Sequence, residues 1–346
     1  MKRIPFLSVS GNHFECGRQV GSAFKEQIYR YLNLCQNDPP EKISWEDCIK
    51  ETSAFIEPTE KYFPEIMAEI KGVSEGSGLD FTVLFALTIE EFYSAAYPIK
   101  GCTDIITLPP ASEHTLVAHN NDLPPGYYDV LTSIEWNFTD DGSQMFSVGL
   151  GFMVSSGVTN SKIVLSGNAV SPTDTRAGGI PRALIARAIL LAKNFDDAVK
   201  IATHPERASS YNNIITSPNQ SINVEGSATS YDYLFPIKGV LTHSNHYCSP
   251  KMLPFESKPN YTSSVERLAS ANRLMAGTAG QLDLKKIENL LKDHGPENIG
   301  SDNTLCRHSE ISETVFGFAV DLDEGIVELA SGHPCQNHFR QVWQIK

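Results

Sequence analysis

The residues that first invite a chemical reading are Lys100-Gly101-Cys102-Thr103-Asp104. A thiol directly after a glycine, where a mostly helical segment gives way to a strand-rich one, suggests a chain that cuts itself. While Cys102 is bonded to Gly101, its nitrogen is an amide and cannot act as a base. Cleavage of Gly101–Cys102 would free an α-amine with a reference pKa of about 7.7–8.0. That amine could take the proton from its own thiol. The competing reading is a buried Cys at the start of a strand, since Cys is among the most buried residue types. Gly-Cys-Thr alone does not decide between them.

Three downstream pieces bear on the choice. Ala118-His119-Asn120-Asn121-Asp122-Leu123 closes a strand one hairpin after the thiol. A buried Asp122 could hold the new α-amine or a substrate nitrogen, although Asn-Asp ahead of Pro124-Pro125 is also turn chemistry. Thr103, His119 and Asn121 are the candidate substrate contacts. Leu241-Thr242-His243-Ser244-Asn245-His246-Tyr247 runs from a strand into a polar cluster. The Asn245 carboxamide is a suitable N–H donor to an oxyanion. His243, His246 and Cys248 raise metal binding as a rival. His-x-x-His is not a common zinc spacing, however, and no Cys-x-x-Cys or Glu partner is at hand, so no metal ligand is assigned. In Asn303-Thr304-Leu305-Cys306-Arg307-His308 the arginine could pair with Asp122 or with a substrate carboxylate. An ordinary surface salt bridge is the alternative. Asp293-His294 ahead of Gly295-Pro296 reads as a helix C-terminus.

Taken in order, Gly-Cys-Thr, Asn-x-Asp, Thr-x-x-Asn-His and Cys-Arg-His resemble the isopenicillin N acyltransferase family. These are N-terminal nucleophile hydrolases, with penicillin V acylases, bile salt hydrolases and an insect β-alanyl-dopamine hydrolase among their wider kin. Gly11-Asn12-His13-Phe14-Glu15-Cys16-Gly17, with Gly21, is similar to that family's opening. The resemblance covers essentially the whole chain. It implies an α+β protein folded as a four-layer αββα sandwich. It also implies a precursor cut before the Cys, with a helical α segment over 1–101 and a β segment over 102–346 associating as one domain. By motif, Cys102 corresponds to the nucleophile, Asp122 to the acidic partner, Asn245 to the oxyanion donor and Arg307 to the arginine of the Cys-Arg motif. No cofactor is implied. The segment His119-Asn120-Asn121-Asp122 replaces a more aromatic version, and Trp343-Gln344-Ile345-Lys346 carries no peroxisomal tripeptide. Both point away from penicillin as the substrate without touching the chemistry.

The elements that must position these residues follow from periodicity. Val20, Phe24, Ile28, Tyr31 and Cys35 recur at helical spacing after Gly11, and Asp38-Pro39-Pro40 should stop that helix. Ser44-Trp45-Glu46-Asp47 resembles a helix start. Pro64 suits the first turn of the next helix, which Gly72, Gly76 and Gly78 should break. Asp80 can cap a third, followed by a linker, Tyr97-Pro98-Ile99-Lys100. Beyond Cys102, alternation predicts strands near 116–119, 134–138, 146–152, 162–165, 213–216, 222–225, 240–242, 315–321 and 326–329. Asp140-Asp141-Gly142 and Asp323-Glu324-Gly325 supply hairpin turns. Helices are expected over 181–192, 196–203, 264–275 and 283–293. This succession suggests antiparallel sheets covered by helices.

The whole chain, 346 residues at 41% hydrophobic and 20% charged, has an ordinary globular composition. A formal net charge of −13 argues against nucleic acid and anionic membranes as partners. It favours a small-molecule substrate, here an acyl-amide or acyl-thioester. No stretch approaches the roughly 18–20 apolar residues of a membrane span, and Met1-Lys2-Arg3-Ile4-Pro5 lacks the apolar core of a signal peptide. The 7 scattered Cys fit reduced thiols in the cytoplasm better than a disulfide framework. The expected activity is that of an autoprocessed Cys amidohydrolase or acyltransferase. Two alternatives stay open: a conventional Cys–His hydrolase without autocleavage, drawing on one of the 10 His, and a non-catalytic small-molecule-binding protein.

Overall fold

A computed structural model describes residues 3–37, 43–92, 101–257, 261–276, 278 and 282–346. The helix stop at Asp38-Pro39-Pro40 and the linker Tyr97-Pro98-Ile99-Lys100 lie outside these described residues.

Strand β1 (Phe6–Gly11) leads into helix α1 (His13–Ala23). Asn12 caps it reciprocally: its side chain accepts from the Glu15 N–H, and the Glu15 carboxylate accepts from the Asn12 N–H, each at 2.9 Å. The single helix expected to follow Gly11 is in fact two, because the chain departs from helical geometry at Phe24 before α2 (Lys25–Asn37). Ser44 caps α3 (Trp45–Glu51), which runs into α4 (Ser53–Tyr62). Pro64 opens α5 (Pro64–Ser77), and Asp80 caps α6 (Phe81–Ala86).

Gly72 and Gly76 do not break α5; they lie within it, and only Gly78, at φ +76°, ends it. The reason is α1. A Cβ on Gly72 would fall 2.1 Å from the Phe14 carbonyl oxygen, and one on Gly76 2.1 Å from that of Arg18. Gly17 and Gly21 on α1 face the Glu69 and Val73 carbonyl oxygens at 2.1 and 2.3 Å in the same way. Four glycines thus let two helix backbones touch, which offsets the roughly 1 kcal/mol that each costs in a helix interior.

The remaining elements, in order, are β2 (Gly101–Thr107), β3 (Leu116–Leu123), β4 (Leu131–Phe138), β5 (Gln144–Leu150), β6 (Ser156–Thr159) and β7 (Val164–Asn168), then α7 (Arg182–Ile189) and α8 (Phe195–Ala202). Strands β8 (Asn212–Ser217), β9 (Gln220–Gly226), β10 (Tyr231–Leu234) and β11 (Val240–His243) precede α9 (Thr262–Met275) and α10 (Leu284–Leu290). Strands β12 (Glu313–Asp321), β13 (Ile326–Ser331) and β14 (Arg340–Gln344) finish the fold.

The strands form two sheets, ordered β1-β4-β5-β6-β7-β8-β9-β10 and β11-β2-β3-β12-β13-β14. Among the described strands, only the β1–β4 pairing is parallel. Alternation along the second sheet sets its two faces. Ile106, Val117, Phe318 and Val320 pack into the core shared with the first sheet. Ile105, Leu116, Ala118 and Ala319 pack instead with Ala271 and Met275 of α9 and Ile287 of α10. Helices α1, α2 and α8 lie against strands of the first sheet. The layer order is helix, sheet, sheet, helix: the αββα sandwich of the α+β class that the sequence implied.

Candidate active site

Cys102 lies on β2 opposite Asn121 of β3, and Asp104 lies opposite His119. Two-residue periodicity therefore puts all four side chains on the face that looks across at the first sheet. Asn121 Nδ2 is 3.6 Å from the Cys102 thiol and 3.5 Å from His119 Nε2. His119 Nδ1 is 3.0 Å from Asp104 Oδ1. Burial opposes a charged imidazole here, but the Asp104 carboxylate and the neighbouring Cys102 thiol raise the His119 pKa to about 10.

The same polar layer continues into the opposite sheet. Asn168 of β7 donates to Asp104 Oδ2 at 2.8 Å, and its own carbonyl oxygen accepts from Asn212 at 2.9 Å. His243 bridges Asn168 Oδ1 and Glu225 Oε1, each at 2.8 Å. The Glu partner that was not at hand near His243 in the sequence comes from β9. Glu225, His243 and Cys248 bring potential ligand atoms within 4.8 Å of one another. Both Glu225 oxygens are occupied, however, accepting from the Cys248 and Ser249 N–H groups at 2.7 and 2.9 Å. The cluster is therefore complete as a hydrogen-bond network.

Gly101, Thr103 and Asp122 project to the other face, toward α9. Gly101 is paired with Asp122, and only a glycine fits there. A Cβ would meet Arg307 Nη1 at 2.2 Å and Asp122 Oδ2 at 2.9 Å. Asp122 Oδ1 accepts from the Thr314 hydroxyl at 2.7 Å, next to a register shift in β12. Asp122 Oδ2 is buried without a hydrogen-bond partner, with Arg307 at 3.7 Å and Arg267 at 3.9 Å. The expected Arg307–Asp122 pairing is thus present, fully buried rather than at the surface.

Asn245 approaches Cys102 in an orientation the sequence did not foresee. Its Oδ1 accepts from the Cys102 N–H at 2.8 Å and from Arg267 Nη2 at 2.7 Å. Its Nδ2 donates to the Ala169 carbonyl at 3.0 Å. Arg267 is the residue that sequence reasoning missed. From α9 it donates to the Cys102 carbonyl and, at 2.8 Å, to the Thr103 hydroxyl, so Thr103 faces this guanidinium. Arg267 stands in no motif, and the tertiary fold shows it to be fully buried.

Among His119, His243, His246 and His308, both His119 and His243 lie on the thiol's face, the latter opposite Asp104, but it is His119 that sits beside the thiol. His243 is held in the network above, His246 Nδ1 lies 2.6 Å from the Ser264 hydroxyl, and His308 lies beside Cys306 and Cys335. The thiol opens on a cavity. Leu123, Leu150, Met153, Val154 and Leu165 form apolar walls, and Asn121, Asn212 and Asn213 supply carboxamides near the thiol end. The Asn121 and Asn212 side-chain oxygens are buried without partners. They can accept hydrogen bonds from a ligand that carries N–H groups.

A β-alanyl-dopamine/carcinine hydrolase from Drosophila melanogaster is 26% identical over 224 residues, which is 57% of this chain and 57% of that protein. The chain thus matches little more than half the length of this curated relative. Among solved structures, a mutant conjugated bile acid hydrolase from Clostridium perfringens aligns with 71% of this chain and 98% of its own, at 11% identity and a TM-score of 0.46. An N-acylethanolamine-hydrolyzing acid amidase ortholog from Caenorhabditis elegans aligns with 64% of this chain and 93% of its own, at 13% identity and a TM-score of 0.44. Residues 110–336, a stretch holding Asp122, Asn245 and Arg307, match the family described as acyl-coenzyme A:6-aminopenicillanic acid acyl-transferase, and the chain belongs to that family.

Proposed function

We propose that this chain is an autoprocessed Cys N-terminal nucleophile enzyme that hydrolyses or transfers the acyl group of a small-molecule amide. The observation that carries the reading is the hold on the backbone of one residue, on both sides of its Cα. The Cys102 N–H is fixed by Asn245, the Cys102 carbonyl by Arg267, and the thiol opens on the cavity. In the first step the Cys102 sulfur adds to the Gly101 carbonyl carbon. A thioester forms, the C–N bond breaks, and the thiol proton ends on the Cys102 nitrogen. Water then releases Gly101 as a carboxylate and restores the thiol.

The new α-amine becomes the base for turnover. It takes the thiol proton as sulfur attacks the substrate carbonyl, and it returns the proton to the leaving amine. Water or an acceptor amine then resolves the thioester. Asn245 Oδ1 and the unpartnered Asp122 Oδ2 are placed to hold the α-amine. Asn245 serves as oxyanion donor once its Nδ2 turns from Ala169, a role in which one lost donor costs about 10²–10³ in kcat. Arg307 lies beside the Asp122 carboxylate and offers it a buried positive charge. Asn121 lines the cavity beside the thiol with His119 behind it, whereas Thr103 is engaged by Arg267 on the opposite face. The Drosophila relative is named for β-alanyl-dopamine and carcinine, and an acyl-amide of that size suits a cavity with apolar walls and carboxamide acceptors. Segments 1–101 and 102–346 contribute to one core, with Ile28 and Phe85 packed among Ile134 and Val148. Two cut chains would therefore stay together. No disulfide forms among the described cysteines, which favours a reducing, cytoplasmic setting.

The test is N-terminal sequencing of purified protein. Two chains should appear on a denaturing gel, the larger starting at Cys102, and Cys102→Ala should stay intact. A single full-length chain in fully active protein would overturn the proposal. One observation favours a second reading: His119, backed by Asp104, shares the thiol's face. In a conventional Cys–His site, His119→Gln would abolish the acidic limb of kcat/KM along with most of the rate. With the α-amine as base, that limb survives the substitution.

A further inference from the structure

Apart from the thiol, at the far side of Arg307, four residues converge that are distant in sequence. Cys306 and His308 flank Arg307 ahead of β12. His294 follows α10, and Cys335 lies in the connection from β13 to β14. Each offers one ligand atom, and the four atoms lie within 4.8 Å of one another. His308 Nε2 is 3.4 Å from the Cys306 sulfur and 3.2 Å from the Cys335 sulfur. His294 Nε2 is buried with no hydrogen-bond partner, and its ring meets His308 edge-on at 5.0 Å. We propose that Cys306, Cys335, His294 and His308 form a structural zinc site.

The chemistry of the donor set supports this. Two sulfurs and two imidazole nitrogens are a tetrahedral zinc set, with bonds of about 2.3 Å to sulfur and about 2.0–2.1 Å to nitrogen. A tetrahedron of such bonds has edges of roughly 3.3–3.8 Å, close to the two His308–sulfur separations. Hydrogen bonding explains the cluster less well. A neutral His308 Nε2 has one lone pair for two thiols, and the buried His294 Nε2 remains unsatisfied. Binding would convert two thiols to thiolates and release two protons to solvent, giving a neutral Zn(Cys)₂(His)₂ unit. Four protein ligands leave no open position, which marks a structural rather than a catalytic ion.

Such an ion would tie together three separate connections: the one leaving α10, the one entering β12 and the one joining β13 to β14. Arg307 sits between two of the ligands, so the metal would fix the guanidinium that packs on Gly101 and faces Asp122. The sequence hid the site because Cys306-x-His308 is separated from His294 and Cys335 by whole elements, and no pair has finger-like spacing.

The full-length protein, purified without chelators, should contain about one zinc per chain by elemental mass spectrometry. Cys335→Ser and His294→Gln should each lose most of that zinc. Cys248→Ser, which alters the Glu225–His243–Cys248 cluster, should keep it. Should the ligand variants fail to fold, the parent protein still decides the matter. Growth on cobalt in place of zinc should give the visible absorption of tetrahedral, thiolate-bound Co²⁺. Metal-free parent protein, a Cys306–Cys335 disulfide found by peptide mass mapping, or zinc lost from Cys248→Ser instead would each overturn the proposal.

Discussion

Arg267 is the side chain on which the geometry of the Cys102 peptide most depends. It is fully buried, and a buried guanidinium is tolerated only when its donors are used. Here they reach the Cys102 carbonyl, the Thr103 hydroxyl and Asn245 Oδ1, with Asp122 at 3.9 Å. Lysine would keep the charge but not the planar fork that spans three acceptors. Arg267→Lys should therefore fold yet cut itself on the order of 10²-fold more slowly, the scale of a small misplacement of reacting groups. A time course of chain cleavage on denaturing gels measures this, and cleavage at the parent rate would remove Arg267 from the mechanism. Arg267→Ala should do more harm. It removes one of the two cations beside Asp122, and breaking a buried pair typically costs about 3–5 kcal/mol. The proximity of Cys102, Asp122, Asn245 and Arg307 was legible because each stands in a short motif of recognisable order. The turn of Asn245, oxygen toward Cys102 and nitrogen toward Ala169, was not, because Arg267 sets it from a helix with no motif of its own.

Among the elements, the α1–α5 pair offers the sharpest test. Helix propensity says that Gly72→Ala should stabilise α5 by about 1 kcal/mol. Packing says the reverse, because the new methyl would lie 2.1 Å from the Phe14 carbonyl oxygen, a backbone atom that cannot swing aside. Overpacking of this kind typically costs about 1–3 kcal/mol. We expect a lower urea midpoint for Gly72→Ala and a similar loss for Gly17→Ala. A raised midpoint would mean that the helices part without cost. The sequence took Gly72 and Gly76 for helix breakers because one chain segment carries no sign of its partner's backbone. The same limit hid β6 and β10, four residues each, and the outer strands β1 and β14. These are too short, or too weakly alternating, to stand out. Signals held in a few adjacent residues were legible: the caps at Ser44 and Asp80, the first-turn Pro64, and the hairpin turns at Gly142 and Gly325, both with positive φ.

For the molecule as a whole, sheets covered by helices could be anticipated from the succession of helical and alternating segments, and the four-layer order from the family resemblance. The contacts that join layers could not, since they pair residues far apart in the chain. One such contact makes the stability of the whole fold depend on pH. Glu288 of α10 lies against Glu328 of β13, and both share Lys285, whose ammonium is 3.2 Å from Glu288 and 2.6 Å from Glu328. Burial, with the Glu328 carboxylate beside it, pushes the Glu288 pKa up to about 8 from an ordinary 4.5. Between those two values the folded chain holds a proton that the unfolded chain has lost. Stability must therefore fall as pH rises through that window. His119 acts in a higher one: its pKa is raised from 6.5 to about 10, so its contribution is complete below 6.5 and is lost toward 10. Glu288→Gln keeps the hydrogen-bonding shape and removes the lower titration. Urea unfolding of parent and variant at pH 5 and pH 8 should show the parent losing about 1–3 kcal/mol more than the variant across this interval, allowing for screening by Lys285. The variant's relative advantage should grow steadily between pH 4.5 and about 8, where the parent keeps its extra proton at rising cost. Parallel pH profiles for the two proteins would show that the Glu288–Glu328 pair relaxes freely in the folded chain and that the slope arises elsewhere.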